Sequence, residues 1–215
     1  MKTFAVILAG NGVFDGAEIH EAVLTLLAID KLGASYKAFA PDIEQHHVID
    51  HFTKKPATES RNVLKEAARL VRGEIQPLSE FDASQFDALV LPGGFGAAKN
   101  LSTYAFDGPA MKVNPEVEKA ILEMHGLKKP IGAMCIAPVI LAKLLGKVTV
   151  TIGTDATTEK HIQEMDATNI RTSHGDVIAD TKNNIFTTPC YMLDSSISQI
   201  AQGTENLIRD MLQRM

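Results

Sequence analysis

The sequence predicts an α/β fold in which a mostly parallel sheet carries helices on both faces. Three observations lead there. Short, near-continuous apolar runs, suited to strands buried on both sides, alternate with segments of helical period. Glycine and proline punctuate the joins between them. The 215 residues, 45% of them hydrophobic, suffice for one full core, since a chain of this length removes roughly 70% of its unfolded surface from water. A single domain over residues 1–215 is expected.

Phe4 to Ala9 reads as a buried first strand, and Gly10, Gly12 and Gly16 loosen the turn after it. Glu18 to Lys31 places Ile19, Ala22, Val23, Leu26, Leu27 and Ile29 at helical spacing and stops at Gly33, as a helix does at a C-terminal glycine. Tyr36 to Ala40 is a second strand and Val63 to Val71 a helix. Phe86 to Leu91 is a near-continuous apolar strand, and Val117 to Leu127 a helix opened by Asn114-Pro115. Ile131 to Cys135 and Pro138 to Leu145 repeat the strand–helix unit. Val177 to Ala179 and Ile185 to Thr188 flank the polar run 180–184 as a hairpin, and Ile197 to Leu212 closes the chain as a helix. Residues 41–60 and 101–116 carry no clear element, and loops of that length are more often functional than filler. In such a sheet, sites form at the carboxyl ends of strands, here the loops after Ala9, Leu91 and Met134.

Charge and hydropathy narrow the function classes. The net charge is −5 and no basic run exceeds two residues, so the electrostatic footprint of a nucleic-acid binder is missing. The longest apolar runs, Phe4 to Ala9 and Ile136 to Ala142, fall short of the roughly 20 residues that span a bilayer. The first of them is also too short for a secretory core. Two cysteines, Cys135 and Cys190, are too few for a disulfide framework and read as thiols in a reducing, cytoplasmic compartment.

The sharpest chemical signal is Gly132-Ala133-Met134-Cys135-Ile136-Ala137-Pro138. A nucleophile elbow ends a strand at the reactive residue and turns at once into a helix, with small residues two before and two after. Ala133 and Ala137 satisfy that rule, and Pro138 suits a first helical turn, which puts Cys135 where the helix dipole favours a thiolate. A second signal is Pro92-Gly93-Gly94-Phe95-Gly96, whose consecutive glycines let backbone N–H groups form an anion nest of the kind an oxyanion requires. No Gly-Lys-Ser/Thr follows it, and Asp15 stands where the third glycine of a dinucleotide fingerprint would fall, so nucleotide cofactors are not indicated. A third signal is Asp15-Gly16-Ala17-Glu18. Asp15 can cap the first helix and Glu18 can serve its dipole, or Glu18 can point into the crevice as a proton shuttle.

Weaker clusters are His46, His47, Asp50 and His51, whose His47/His51 spacing suits a helical metal pair only if the segment is helical, and His174-Gly175-Asp176, which follows Cys135 in the order of a thiol triad. Cys190 reads as packing.

Taken together, the glutamate after strand one, the double glycine after a middle strand and the cysteine elbow resemble the PfpI and Parkinsonism-associated deglycase superfamily. Residues 7–10 with 15–23, 91–101, 134–138, 151–155 and 187–193 look like its ElbB-type branch, labelled isoprenoid-biosynthesis glyoxalase or amidotransferase-like. The resemblance implies a flavodoxin-like three-layer sandwich similar to class I glutamine amidotransferases, and a homodimer. It implies Cys135 as the reactive thiol, Glu18 as its acidic partner, and Gly93, Gly94, Asn100 and Ile136 as oxyanion or substrate contacts, with His20 and Asn11 as further candidates. A protonated Glu18 would lower the thiol pKa, whereas an ionised one would raise it.

Two departures stand out. Ile136 follows the cysteine and residues 147–156 contain no histidine, so the imidazole of a complete triad is missing, which argues against amidotransferase or protease-like hydrolysis. Asn11 stands where many branch members carry a second cysteine. The implied function is a cofactor-free and metal-free glyoxalase that turns small 2-oxoaldehydes into 2-hydroxy acids. The alternatives are a non-catalytic thiol redox sensor or interaction protein, and a glutaminase half without its synthase.

Overall fold

A computed structural model describes residues 1–215. In chain order the elements begin with β1 (Thr3–Ile7), α1 (Ile19–Lys31), β2 (Ser35–Ala40), the two-residue strands β3 (Ile49–Asp50) and β4 (Lys55–Pro56), α2 (Val63–Ala67), β5 (Ile75–Pro77) and β6 (Ala88–Leu91). The chain goes on through α3 (Phe95–Lys99), α4 (Tyr104–Asp107), α5 (Pro115–Gly126), β7 (Ile131–Met134), α6 (Pro138–Leu145) and β8 (Thr149–Val150). It ends with α7 (Ala156–Glu164), β9 (Thr168–Asn169), β10 (Ile178–Asp180), β11 (Ile185–Thr188) and α8 (Ile197–Leu212).

The apolar runs form the middle of a seven-stranded sheet of order β10-β11-β7-β6-β1-β2-β5. Every pair is parallel except the β10–β11 hairpin. Because β6, β7 and β11 are buried at every residue, they must be covered on both faces, and helices supply that cover, α1 packing against α8 and α5 against α6. Burial of such Val, Leu and Ile side chains stabilises by roughly 1.5–3 kcal/mol each, which explains why no disulfide is needed; both cysteines are free. No helix is long and apolar enough to cross a membrane.

From β1 the chain moves outward to β2 and β5, then returns to β6 on β1's other side. That reversal opens a crevice at the carboxyl ends of β1, β6 and β7, and such a switch point is where open α/β sheets hold their ligands.

The helices expected at 138–145 and 197–212 have those bounds, and Asn114 caps α5, its side chain accepting from the N–H groups of Glu116 and Val117. The expected helix 63–71 is α2 followed by a 3₁₀ turn, Ala68–Val71, that ends on Arg72 in the left-handed region. Segment 41–60 holds the β3–β4 ribbon, and segment 101–116 holds α4. Helix α7 was not expected: its sequence is polar almost throughout, and it stands because the Asp155 side chain caps it, accepting the Thr158 N–H at 2.7 Å.

Candidate active site

Strand β7 ends at Met134, and the chain turns at Cys135 with φ +59° before Pro138 opens α6. A non-glycine residue there stores about 1 kcal/mol or more of strain, held only where neighbours over-determine it. Those neighbours are present: the Cys135 N–H donates to Thr188 O of β11 at 3.1 Å, and the Ala137 N–H donates to Met134 O. Ala133 and Ala137 are fully buried, so larger residues would not fit. The result is an elbow that aims the thiol, 8% exposed, into the crevice.

The carboxyl group against that thiol is Glu21, not the expected Glu18. Glu18 is the N-cap of α1 and turns its Oε2 back to the Glu21 N–H at 2.7 Å. One turn on, Glu21 lies on the helix face that carries Ala22, Thr25 and Ile29, is fully buried, and brings its Oε2 beside the Cys135 side chain across Gly93. Its two oxygens also accept the Gly93 N–H at 3.0 Å and the Tyr191 N–H at 3.1 Å. The cap accounts for Glu18 by helix geometry alone, and the three-residue offset carries Glu21 inward.

Gly93 therefore spends its N–H on Glu21. The two N–H groups directed at the Cys135 sulfur are those of Gly94 and Ile136, so the anion nest joins the β6–α3 turn to the elbow itself. Gly94 has φ +97°, a conformation glycine adopts without cost. Gly93 is needed for space: a Cβ there would overlap the Cys135 Cβ and stand 2.6 Å from Glu21 Oε2 and 2.9 Å from Met134 O. Gly93→Ala is accordingly expected to destabilise the fold by about 3 kcal/mol, measured as the shift in urea midpoint; an unchanged midpoint would show that the loop can yield.

The thiol opens into a cavity of about 400 Å³ whose walls include Val13, Phe95, Ile136, Tyr104, Tyr191 and Asp155. Asn100 is not among its walls. Its buried side chain donates to Ala9 O and Asp15 O at 2.9 and 2.8 Å and accepts the His46 N–H at 3.0 Å, tying three loops together. Asn11 lies in the turn after β1, outside the cavity lining, with a buried Oδ1 that has no partner. His20 is half-exposed; its Nδ1 is 2.8 Å from the Tyr191 hydroxyl and 3.8 Å from Glu18 Oε1. Asp15 does not cap α1; its Oδ2 takes the Ile49 N–H at 2.6 Å.

The remaining clusters lie apart from the thiol. His47 and His51 flank β3 rather than sharing a helix face, and the His51 Nε2 accepts the Phe14 N–H. His174 pairs with Ser195 at 2.7 Å on the surface. Cys190 is buried, has φ +43°, and lies in the turn that presents the Tyr191 N–H to Glu21.

Burial raises the Glu21 carboxyl to about 8, against the pull of the Tyr191 and Gly93 N–H groups. The Cys135 thiol is raised well above its ordinary range, by burial first and by negative charge on Glu21 second, and the Gly94 and Ile136 N–H groups offset this only in part, so the resting sulfur keeps its proton. One proton couples the two groups. At pH 7 Glu21 keeps its proton, so its charge no longer opposes the thiolate and its O–H can donate to the sulfur. A neutral acid thus stands beside a thiol whose anion two N–H groups and a helix N-terminus receive.

The profile of the DJ-1/PfpI family matches residues 12–188. The chain is 44% identical over 219 residues to the human glutamine amidotransferase-like class 1 domain-containing protein 3, mitochondrial, covering 97% of this chain and 82% of that one. It is 43% identical over 219 residues to the rat ES1 protein homolog, mitochondrial, with the same coverage. Among solved structures, an isoprenoid biosynthesis protein with amidotransferase-like domain from Ehrlichia chaffeensis superposes with a TM-score of 0.92 at 38% identity, covering 99% of this chain and 100% of that one. Glyoxalase III from Candida albicans shares the fold, with a TM-score of 0.62 at 15% identity over 99% of this chain and 96% of that one.

Proposed function

The chain belongs to the DJ-1/PfpI family, and on that premise we propose that it converts small 2-oxoaldehydes such as glyoxal into 2-hydroxy acids, without a cofactor, through a hemithioacetal on Cys135. The observation that carries this reading is a fully buried carboxyl, Glu21, fixed by the Gly93 and Tyr191 N–H groups beside an elbow thiol. The Cys135 thiol gives its proton to water, the sulfur attacks the aldehyde carbon C1, and the C1–O π pair moves to oxygen, which takes the Glu21 proton. Glu21, now a carboxylate, removes the hydrogen on C1 as a proton, the C–H pair becomes the C1–C2 double bond, and the C2–O π pair moves to oxygen, which on protonation completes an enediol. Return of that proton to C2, with loss of the proton on the C1 oxygen, leaves a thioester; water cleaves it to the hydroxy acid and the free thiol. The Gly94 and Ile136 N–H groups are placed to hold the oxygen on C1 while it is charged. Purified protein given glyoxal is expected to release glycolate, followed by chromatography or proton NMR. No release above the uncatalysed rate would overturn the proposal.

One observation favours a second reading: no imidazole lines the cavity to activate the hydrolytic water. In a redox sensor, peroxide would oxidise the thiolate to a sulfenate and a second equivalent to a sulfinate, each releasing water, with the same N–H pair receiving the new oxygens. Intact mass after mild peroxide is then expected to rise by two oxygens at Cys135 alone; oxidation spread over the methionines would count against it.

We also propose that a second copy of the chain covers the exposed stripe Ile19, Val23 and Leu27, spaced four apart on α1. Sedimentation velocity is expected to give a dimer, and a monomer at tens of micromolar would refute this. The free buried thiols support a reducing location, and the cytoplasm is part of the proposal; the human and rat relatives are mitochondrial by name.

A further inference from the structure

A 2-oxoaldehyde carries two carbonyl groups, and the N–H pair at Cys135 meets only the one that sulfur attacks. The oxygen on C2 must also gain a proton when the enediol forms, and neither Glu21 nor the elbow supplies it. The wall contributed by α4 and α7 holds a group suited to that task.

Tyr104, the first residue of α4, lines the cavity together with Cys135. Its hydroxyl is 2.9 Å from Nδ1 of His161 on α7, and the two rings meet edge to face with centroids 5.7 Å apart. The buried Thr158, on the same helix, also lines the cavity, and its N–H donates to Asp155 Oδ1 at 2.7 Å. His161 on a separate element thus holds the phenol oxygen on a wall that, apart from Asp155 and Thr158, is mainly apolar, with Val13, Phe95, Ala98, Ile136 and Met192 around it. No lysine, arginine or histidine side chain lines this space. The other phenol there, Tyr191, pairs its hydroxyl with Nδ1 of the half-exposed His20 at the surface. A hydrogen bond withdrawn from water is stronger and better oriented, which singles out Tyr104.

We propose that Tyr104 is the catalytic acid for the carbonyl that sulfur does not attack, with His161 as its positioning residue. This rests on the hydroxy-acid reading of the site and adds the group that reading lacks. When Glu21 takes the proton from C1, the C2–O π pair moves to oxygen and the Tyr104 O–H protonates it. The resulting phenolate is held by the Nδ1–H of His161. When the enediol becomes the thioester, the phenolate takes up the proton leaving the oxygen on C1, and Tyr104 ends as it began.

The test follows methylglyoxal conversion to its hydroxy acid in Tyr104→Phe. The kcat is expected to fall by about 100-fold with KM within a few-fold of wild type, the range of a lost general acid. Alkylation of Cys135 by iodoacetamide should keep its wild-type rate, showing the elbow intact. An unchanged kcat overturns the proposal, and so does alkylation slowed as much as turnover, since Tyr104 would then act on the thiol or the fold. His161→Gln, whose amide can still donate to the phenol, should retain most of the rate that His161→Leu loses, and Tyr104→Phe/His161→Leu should lose no more than Tyr104→Phe. Additive losses would separate His161 from Tyr104.

If wild type makes no hydroxy acid, the hydroxy-acid reading fails by itself. The Tyr104 contact is then read from ¹³C-glyoxal titrated into the protein by NMR. The Cys135 hemithioacetal is expected to be about tenfold weaker in Tyr104→Phe, as for one lost hydrogen bond, and equal affinity overturns it.

Discussion

Cys135→Ala is expected to abolish hydroxy-acid formation from glyoxal, a loss of at least about 10³-fold in kcat, because every later step of the route takes place on the bond that the sulfur forms. The change is informative because it leaves its surroundings nearly intact. Alanine keeps the Cβ that fills the turn at φ +59°, so the strain stays as it was, and only a single, almost buried sulfur is removed. Stability should therefore move by no more than about 1 kcal/mol. Steady-state release of glycolate and a urea transition on the same sample separate the two effects. Equal turnover by the variant would exclude a covalent route.

Glu21→Gln is expected to lower turnover by about 10²–10⁴-fold, the range of a lost general acid–base group, and to change how stability depends on pH. Both Glu21 oxygens accept backbone N–H groups, from Gly93 and Tyr191. An amide can serve one of them; its NH₂ faces the other donor and loses that bond. The wild-type carboxyl titrates near 8 in the fold and near 4.5 when free. Between those values the native state holds a proton that the unfolded chain has released. The favourable contribution of neutral Glu21 is complete below about pH 4.5 and is lost as pH rises toward 8, by up to about 1.4 kcal/mol per pH unit. Glutamine has no such proton. Urea unfolding from pH 5 to 8 should thus show wild type losing stability with rising pH relative to the variant. Parallel curves would mean that Glu21 is ionised in the native protein.

Strands and helices whose sequence periodicity coincided with burial were legible in the sequence: the runs that became β1, β6, β7 and β11, and the helices α1, α5, α6 and α8. Elements held by a single polar contact or an edge position were not. Strand β5 is three residues long and contains Pro77, and α7 depends on the Asp155 cap rather than on an apolar stripe. At the site, the elbow could be read because its requirement is steric and local, a small residue on either side of the cysteine. The partner acid was misplaced by one helical turn. Glu18 drew attention as the first acid after β1, yet Glu21 has the spacing of the buried stripe, one before Ala22, four before Thr25 and eight before Ile29. A carboxyl in phase with the core is the stronger sign of a working group, because burying it is costly unless it is used or paired. Gly93 and Gly94 were recognisable as a pair, but which N–H was free depended on where Glu21 pointed. Tyr104 could not be found this way, since only the folded chain brings 104 beside 158 and 161.

The three hydrogen bonds of Asn100 bear on how the protein meets a ligand. By joining Ala9, Asp15 and His46, one buried amide pins the turn after β1, which carries Val13 into the cavity and Glu18 to the head of α1, to the ribbon segment beside it. The conformational entropy of these loops is lost when the chain folds, so it is not charged against each encounter. Recognition at the Cys135 cavity is then lock-and-key on this side: association rates should be set by diffusion and desolvation, and free and occupied forms should superpose there to within the motion of side chains.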